Sequence, residues 1–138
     1  MSDRVELILD LEQTFRNTIR QMRKDLAFIL GDNLTGAEFG VLKQLQKKSP
    51  QIVTALSQEF EVSVSHITHV ADQLERKNLA CRKRSQLDKR VVELHITEEG
   101  KKLVEDLSQK KLKYFHEKFE GLTTEEIEKL LNLLKKLA

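Results

Sequence analysis

Apolar residues recur every three or four positions along almost the whole chain, and only between Leu79 and Ile96 does the period fall to two. That interruption constrains the fold more than any other feature. A chain patterned this way consists of amphipathic helices with one β-prone excursion. One proline and five glycines in 138 residues leave little room for a turn-rich all-β fold. The expected class is mostly α, formally α+β.

The first stripe, Ile8, Leu11, Phe15, Ile19, Met22, Leu26 and Ile29, predicts a helix over 4–30, with Ser2-Asp3 at its start and Gly31-Asp32-Asn33 as its stop. Such a rod is about 40 Å long, more than a small core needs, so part of the stripe is expected to meet another subunit. Thr35 with Glu38 reads as a capping box opening a second helix, lined by Phe39, Val41, Leu42 and Leu45 and ended by Ser49-Pro50. A third, short helix is expected from about Ile52 to Phe60, and a fourth from Ser63 to about Lys77. Two short strands, 79–84 and 90–96, follow, joined by Ser85-Gln86-Leu87-Asp88-Lys89; strict alternation in Val92-Glu93-Leu94-His95-Ile96 marks a half-buried strand. Thr97, with Glu98 or Glu99 as the accompanying acid, opens a fifth helix. Gly121 breaks it, and Thr123 with Glu126 caps a last helix carrying Ile127, Leu130, Leu131, Leu134 and Leu137.

The formal charge of +2 conceals an uneven distribution. Residues 1–34 carry five basic and six acidic groups and 97–138 carry nine of each, whereas 35–96 carry ten basic against seven acidic. Within that middle stretch, 75–90 hold seven cations (Arg76, Lys77, Arg82, Lys83, Arg84, Lys89, Arg90) against Glu75 and Asp88, a net +5. A basic island on a near-neutral chain points to a polyanion-facing element.

Between Ala55 and Leu74 the apolar positions are Leu56, Phe60, Val62, Ile67, Val70 and Leu74. This spacing packs two short helices across a tight corner, as in a helix-turn-helix. The outward face of the second helix then displays Ser63, Ser65, His66, Thr68, His69 and Gln73, which are expected to meet a DNA major groove or its phosphates. The basic hairpin follows at once, and helix, turn, helix, hairpin is the order of a winged helix. Arg90 is expected in a minor groove with Asp88 orienting it, while Lys83, Arg84 and Lys89 neutralise phosphate.

With those elements in order, the sequence resembles the multiple antibiotic resistance regulator (MarR) family. The resemblance is carried by Leu34-Thr35, Glu38-Phe39 and Val41-Leu42, by Val62-Ser63-Val64-Ser65 through Asp72-Gln73-Leu74-Glu75-Arg76-Lys77, by Arg82, Arg84, Ser85 and Asp88-Lys89-Arg90, and by Leu94-His95-Ile96-Thr97-Glu98-Glu99-Gly100. It implies one winged helix-turn-helix domain over 1–138, with a DNA-binding lobe at 35–96 and dimerisation helices at 1–34 and 97–138. It further implies a homodimeric transcriptional regulator, most often a repressor, on a pseudo-palindromic double-stranded DNA operator and often released by a small ligand. A pocket is expected between the lobe and the first, second and start of the fifth helices, taking small amphipathic or phenolic compounds such as aromatic acids. Two positions depart from the pattern: Glu61 stands at a corner that often holds glycine, and His69 stands where a more basic residue is common.

Other chemistry finds little support. Cys81 is the single cysteine, which excludes an intrachain disulfide and suits a cytoplasmic protein; on a wing strand it reads as a buried, inert thiol rather than a redox sensor. His66 and His69 lie three apart on one helix, but the acidic and histidine ligands that a metal site would add from other segments are missing, so no metal is expected. No cofactor is expected, and no catalytic constellation or phosphate-binding glycine loop is visible. Apolar runs stop at three or four residues, far below the ~18 of a membrane span. The competing reading is a helical protein-interaction module whose basic hairpin binds an acidic protein partner.

Overall fold

The computed structural model describes residues 2–138. Among them the chain runs α1 (Asp3–Leu30), α2 (Gly36–Lys47), β1 (Gln51–Ile52), α3 (Val53–Phe60), α4 (Val64–Arg76), β2 (Ala80–Arg84), β3 (Val92–Ile96), α5 (Glu98–Lys118) and α6 (Thr124–Leu137). The three strands form one antiparallel sheet in the order β1-β3-β2. None of the described helices is long and apolar enough to cross a membrane. This is the expected winged helix-turn-helix with long flanking helices.

Side-chain caps define most helix starts. Ser2 accepts the Val5 N–H, Ser63 the His66 N–H and Thr97 the Gly100 N–H. Among the described residues only Thr123 and Glu126 close a full capping box, each side chain accepting the other's backbone N–H. At Thr35 the expected box is half made. The hydroxyl accepts the Glu38 N–H, but the Glu38 carboxylate turns inward to Lys77 Nζ at 2.6 Å. At Thr97 no acid completes the box, because the third residue onward is Gly100 itself.

One hydrophobic core unites the lobe. Val41, Leu42 and Leu45 from α2, Leu56 from α3, Ile67 and Leu74 from α4, Leu94 from β3 and Val104 and Leu107 from α5 are all fully buried. The core therefore extends past residue 96 into the first three turns of α5. Gly100 makes that docking possible: a Cβ there would fall 2.2 Å from the Leu79 carbonyl oxygen, which accepts the Thr97 N–H at 3.1 Å. In contrast, neither α1 nor α6 holds a fully buried residue, although Leu30 at the end of α1 packs against the core.

The structure refines two expectations. Gln51 and Ile52 form a third strand against Leu94 and Glu93, so the third helix begins at Val53. Two residues are too few to show an alternating pattern, and pairing with the free edge of β3 selects the extended form. In the hairpin, β3 starts at Val92 rather than Arg90, which leaves Arg90 and Val91 in the turn.

Candidate nucleic-acid interface

The corner between α3 and α4 is built without glycine. Glu61 adopts the left-handed conformation at φ 54°, ψ 45°, and the chain is held there by Val62 N–H donating to the Ser57 carbonyl at 3.0 Å and Glu61 N–H to Gln58 at 3.3 Å. A non-glycine residue in this region costs about 1 kcal/mol, which the buried contacts of Leu56, Ile67 and Val70 on either side offset. The result fixes α4 with its first turn facing outward.

On that face Ser63, Ser65, His66 and His69 are exposed, while Thr68 and Gln73 are half-buried. Two hydroxyls serve the helix first: Ser63 caps the His66 N–H at 3.1 Å and lies 3.2 Å from Ser65 Oγ, and Thr68 donates to the Val64 carbonyl at 3.0 Å. Each keeps free lone pairs or a neighbour that can donate. His66 and His69 are left as the exposed ring donors and acceptors at the centre of the face. Among the described residues no group of three histidine, cysteine or acidic side chains is placed to hold a metal ion.

The wing presents its cations from a closely bonded turn. Ser85 N–H donates to the Val91 carbonyl at 2.9 Å, and Val91 N–H to the Asp88 carbonyl at 3.0 Å. Asp88 accepts the Arg90 backbone N–H (3.0 Å), Nε (3.1 Å) and Nη2 (3.2 Å). These bonds from the Arg90 side chain, then its backbone, hold the Asp88 carboxyl below its ordinary range. The Arg90 side chain is nevertheless 90% exposed, a guanidinium oriented before any partner arrives. Arg84 Nη1 donates to the Lys89 carbonyl at 2.8 Å, bracing the turn while leaving its other nitrogens free. Lys83 and Lys89 are exposed and make no ion pair among the described residues.

Arg82 has a different role, one that the sequence count of cations concealed. Its guanidinium joins Asp72 and Glu75 on α4, with Nε to Glu75 Oε1 at 3.1 Å and Nη2 to the same oxygen at 2.9 Å. Its backbone N–H also donates to Glu75 Oε2 at 3.0 Å. That backbone bond, ahead of the side-chain ones, lowers the Glu75 pKa, and Glu75 in turn raises that of Arg82. The cluster ties the root of the wing to α4 and offsets one of the two carboxylate charges there. Lys77 is likewise engaged, with Glu38 and the Asn33 carbonyl. The cations left for a partner are Arg76, Lys83, Arg84, Lys89 and Arg90. The available signal was the i, i+3 spacing of Asp72 and Glu75, acids on a helix beside a basic strand.

This arrangement of helix, corner, exposed helix and basic wing is shared with known proteins. The model of the SarA/Rot transcriptional regulators matches residues 29–107. The chain is 36% identical to the uncharacterized HTH-type transcriptional regulator YpoP of Bacillus subtilis, covering 99% of this chain and 97% of the relative. It is 28% identical to the HTH-type transcriptional repressor MdtR of the same organism, over 96% of this chain and 86% of that one. Among solved structures it is similar to YusO of Bacillus subtilis, with a TM-score of 0.82, 26% identity and coverage of 99% and 97%. It is also similar to a mutant MarR from E. coli complexed with operator DNA, with a TM-score of 0.76, 25% identity and 99% coverage of both chains. The chain belongs to the MarR family of winged-helix transcriptional regulators.

As a MarR-family protein it is a DNA-binding regulator of transcription and not an enzyme. Cys81, expected to be buried, is only half-buried on β2, directly across from His95 on β3. A cleft of about 140 Å³ lies where the lobe meets the long helices, lined by Leu26, Ile29 and Leu30 of α1, Gly36 and Phe39 of α2, and Leu107 and Lys111 of α5. The lining comes from the middle of the fifth helix, where its start had been expected. The ammonium groups of Lys111 and Lys43 sit 5.7 and 5.9 Å from the centre of the Phe39 ring.

Proposed function

We propose that this MarR-family regulator is a cytoplasmic homodimeric repressor that binds a pseudo-palindromic operator and is released by a small aromatic acid. The observation that carries the reading is the pairing, on one lobe, of an outward-facing α4 with an Arg90 guanidinium held out on the wing by Asp88. Ser63, Ser65, His66, Thr68, His69 and Gln73 meet the major groove and its backbone, Arg90 enters the adjacent minor groove, and Lys83, Arg84 and Lys89 neutralise phosphate. Dimerisation follows from α1 and α6, whose Ile8, Leu11, Phe15, Ile127, Leu130, Leu131 and Leu134 all stand at least 40% exposed in the single chain. A groove of about 350 Å³ between α5 and α6, walled by Leu112, Phe115, Phe119, Leu122 and Ile127, extends that apolar surface. The likeness to MdtR supports repression.

The effector reading rests on the cleft at α1, α2 and α5. Its walls are aliphatic except for Phe39, and Lys111 lines it with its ammonium 5.7 Å from the centre of the Phe39 ring. A carboxylate on a single aromatic ring matches both features. Such a ligand releases DNA only if it favours one separation of the two α4 helices, which must match a DNA turn of ~34 Å.

The test is a salt-titrated binding series on the DNA flanking the protein's own gene. Arg90→Ala is expected to weaken specific binding by about 1–3 kcal/mol, while Lys83→Ala weakens all sequences alike and lowers the salt slope by about one. Equal, sequence-blind losses for both variants would remove the minor-groove assignment. Adding aromatic acids to the same series is expected to raise the melting midpoint of the free protein and to lower operator affinity together.

A further inference from the structure

The turn of the wing carries an apolar side chain that its construction does not use. Leu87 is fully exposed. The turn is held instead by polar atoms. Ser85, itself buried, accepts the Leu87 and Asp88 N–H groups at 3.2 and 3.4 Å, and the Asp88 carbonyl and carboxylate bind Val91 and Arg90. Leu87 thus has no internal contact to account for it, in a position where turns ordinarily carry small or polar residues. Its surroundings are cationic, with Lys83, Arg84, Lys89 and Arg90 all exposed on the same hairpin. Such a surface meets a polyanion, and the part of duplex DNA that is both apolar and close to phosphate is the deoxyribose wall of the minor groove.

We propose that Leu87 and Arg90 together form a two-residue minor-groove contact, with Leu87 packed against the deoxyribose wall while the Arg90 guanidinium reaches the acceptors on the groove floor. This deepens the proposed operator binding and rests on it. A groove ~6 Å wide admits a guanidinium and leaves its walls free for a neighbouring apolar side chain. The division of labour follows from the bonds of the turn: Asp88 fixes the direction of Arg90, and Ser85 fixes the backbone from which Leu87 projects. Apolar wedges beside basic residues are a general device of minor-groove proteins. Leu87 is by this reading a specificity-determining residue, sensitive to groove width rather than to base identity.

The experiment compares the full-length protein with Leu87→Ala and Leu87→Met on one footprinted operator, across a salt series. Leu87→Ala is expected to reduce operator affinity by roughly tenfold, with an unchanged salt slope and an unchanged melting midpoint. Leu87→Met restores most of the loss. Hydroxyl-radical cleavage, which reads the sugars, is expected to show protection at the wing site in the parent protein and none with Leu87→Ala. Binding of Leu87→Ala within twofold of the parent, or a loss that disappears at high salt, overturns the contact. So does a loss of affinity with the sugar protection intact. A parent protein that binds no duplex with sequence preference overturns the operator reading itself, a result distinct from a parent that binds and a Leu87→Ala that matches it.

Discussion

The lobe formed by α2 to β3 and the outer helices α1 and α6 obey the same sequence rule with opposite outcomes. Both show apolar stripes at helical spacing. In the lobe the stripes close on one another and bury Leu42, Leu45, Leu56 and Leu74 completely. The stripe of α1 meets the lobe only in its C-terminal half, where Leu26, Ile29 and Leu30 are half-buried, and elsewhere in α1 and along α6 side chains such as Leu11 at 63% and Leu131 at 50% remain in water. Periodicity therefore shows that a face is to be covered, and topology decides whether the same chain covers it. α5 belongs to both regions: Val104 and Leu107 complete the lobe core, while Leu112, a turn further on, is 64% exposed.

The sharpest way to break this comparison is to charge the outer stripe and leave the core alone. Leu130→Glu combined with Leu134→Glu is expected to yield a monomer by light scattering whose lobe still melts cooperatively. On the proposed dimeric operator complex, affinity is expected to fall roughly 100-fold or more, because two linked half-site contacts would become one. A dimer that persists in this variant would move the interface off α6. The complementary change, Leu45→Ala, empties a fully buried position on α2 and is expected to cost about 2–5 kcal/mol by chemical denaturation. If both variants lost stability equally, the two regions would form one cooperative unit rather than a core with appended arms.

The same comparison shows what could be read from sequence. Long stripes and strict alternation report on burial, and they located the six helices and the hairpin. The helix-turn-helix was legible because Leu56, Phe60, Val62 and Ile67 stand at intervals that no single straight helix would place on one face. Features set by contacts between distant segments were not legible. Strand β1 is two residues long and exists only because β3 offers an edge. Glu38 looked like a cap because local spacing favours one, yet a residue 39 positions away takes its carboxylate. Arg82 counted as one of seven cations in the basic island until the folded chain brought Asp72 and Glu75 against it. At the interface, the wing turn was readable from Asp88 and Arg90 because both partners lie within three residues.

The Glu38–Lys77 pair tests how firmly the lobe is joined to the cleft. Glu38 is 4% exposed on α2, beside the Gly36 and Phe39 that line the cleft, and Lys77 caps the end of α4. Lys77 Nζ reaches both Glu38 Oε2 and the Asn33 carbonyl, so one side chain holds the α1–α2 junction to α4. Lys77→Met leaves a buried carboxylate without its cation and is expected to cost about 2 kcal/mol. Glu38→Gln with Lys77→Met is expected to recover part of that loss. Recovery of stability without recovery of operator affinity would show that the pair positions α4 for DNA as well as holding the structure.

The smallest expected effect concerns the one side-chain hydrogen bond, among the described residues, between an outer helix and α5. Tyr114 Oη donates to Asp25 Oδ2 at 2.6 Å, joining α5 to α1 next to Leu26 and one turn from Lys111 of the cleft. The bond pushes the Tyr114 hydroxyl up from 10.0 to about 12. It also holds the Asp25 carboxyl below its ordinary 3.8, with Gln21 as a second donor. The signs are opposite at the two ends of the pH scale. The raised tyrosine contributes stability that is complete below pH 10.0 and is lost as pH climbs through about 12. The depressed carboxyl contributes stability present above 3.8 and lost as pH falls beneath it, so the tie is intact across the neutral range. Tyr114 is the single tyrosine, and absorbance at the tyrosinate band therefore follows this group alone. Asp25→Asn is expected to bring its midpoint back toward 10.0. Tyr114→Phe is expected to lower the melting midpoint by a few degrees and leave the lobe's own unfolding unchanged. A tyrosine that titrates at its ordinary value in the dimer would show that α1 is held to α5 by its apolar stripe alone, and would place the covering of that stripe entirely with the second copy.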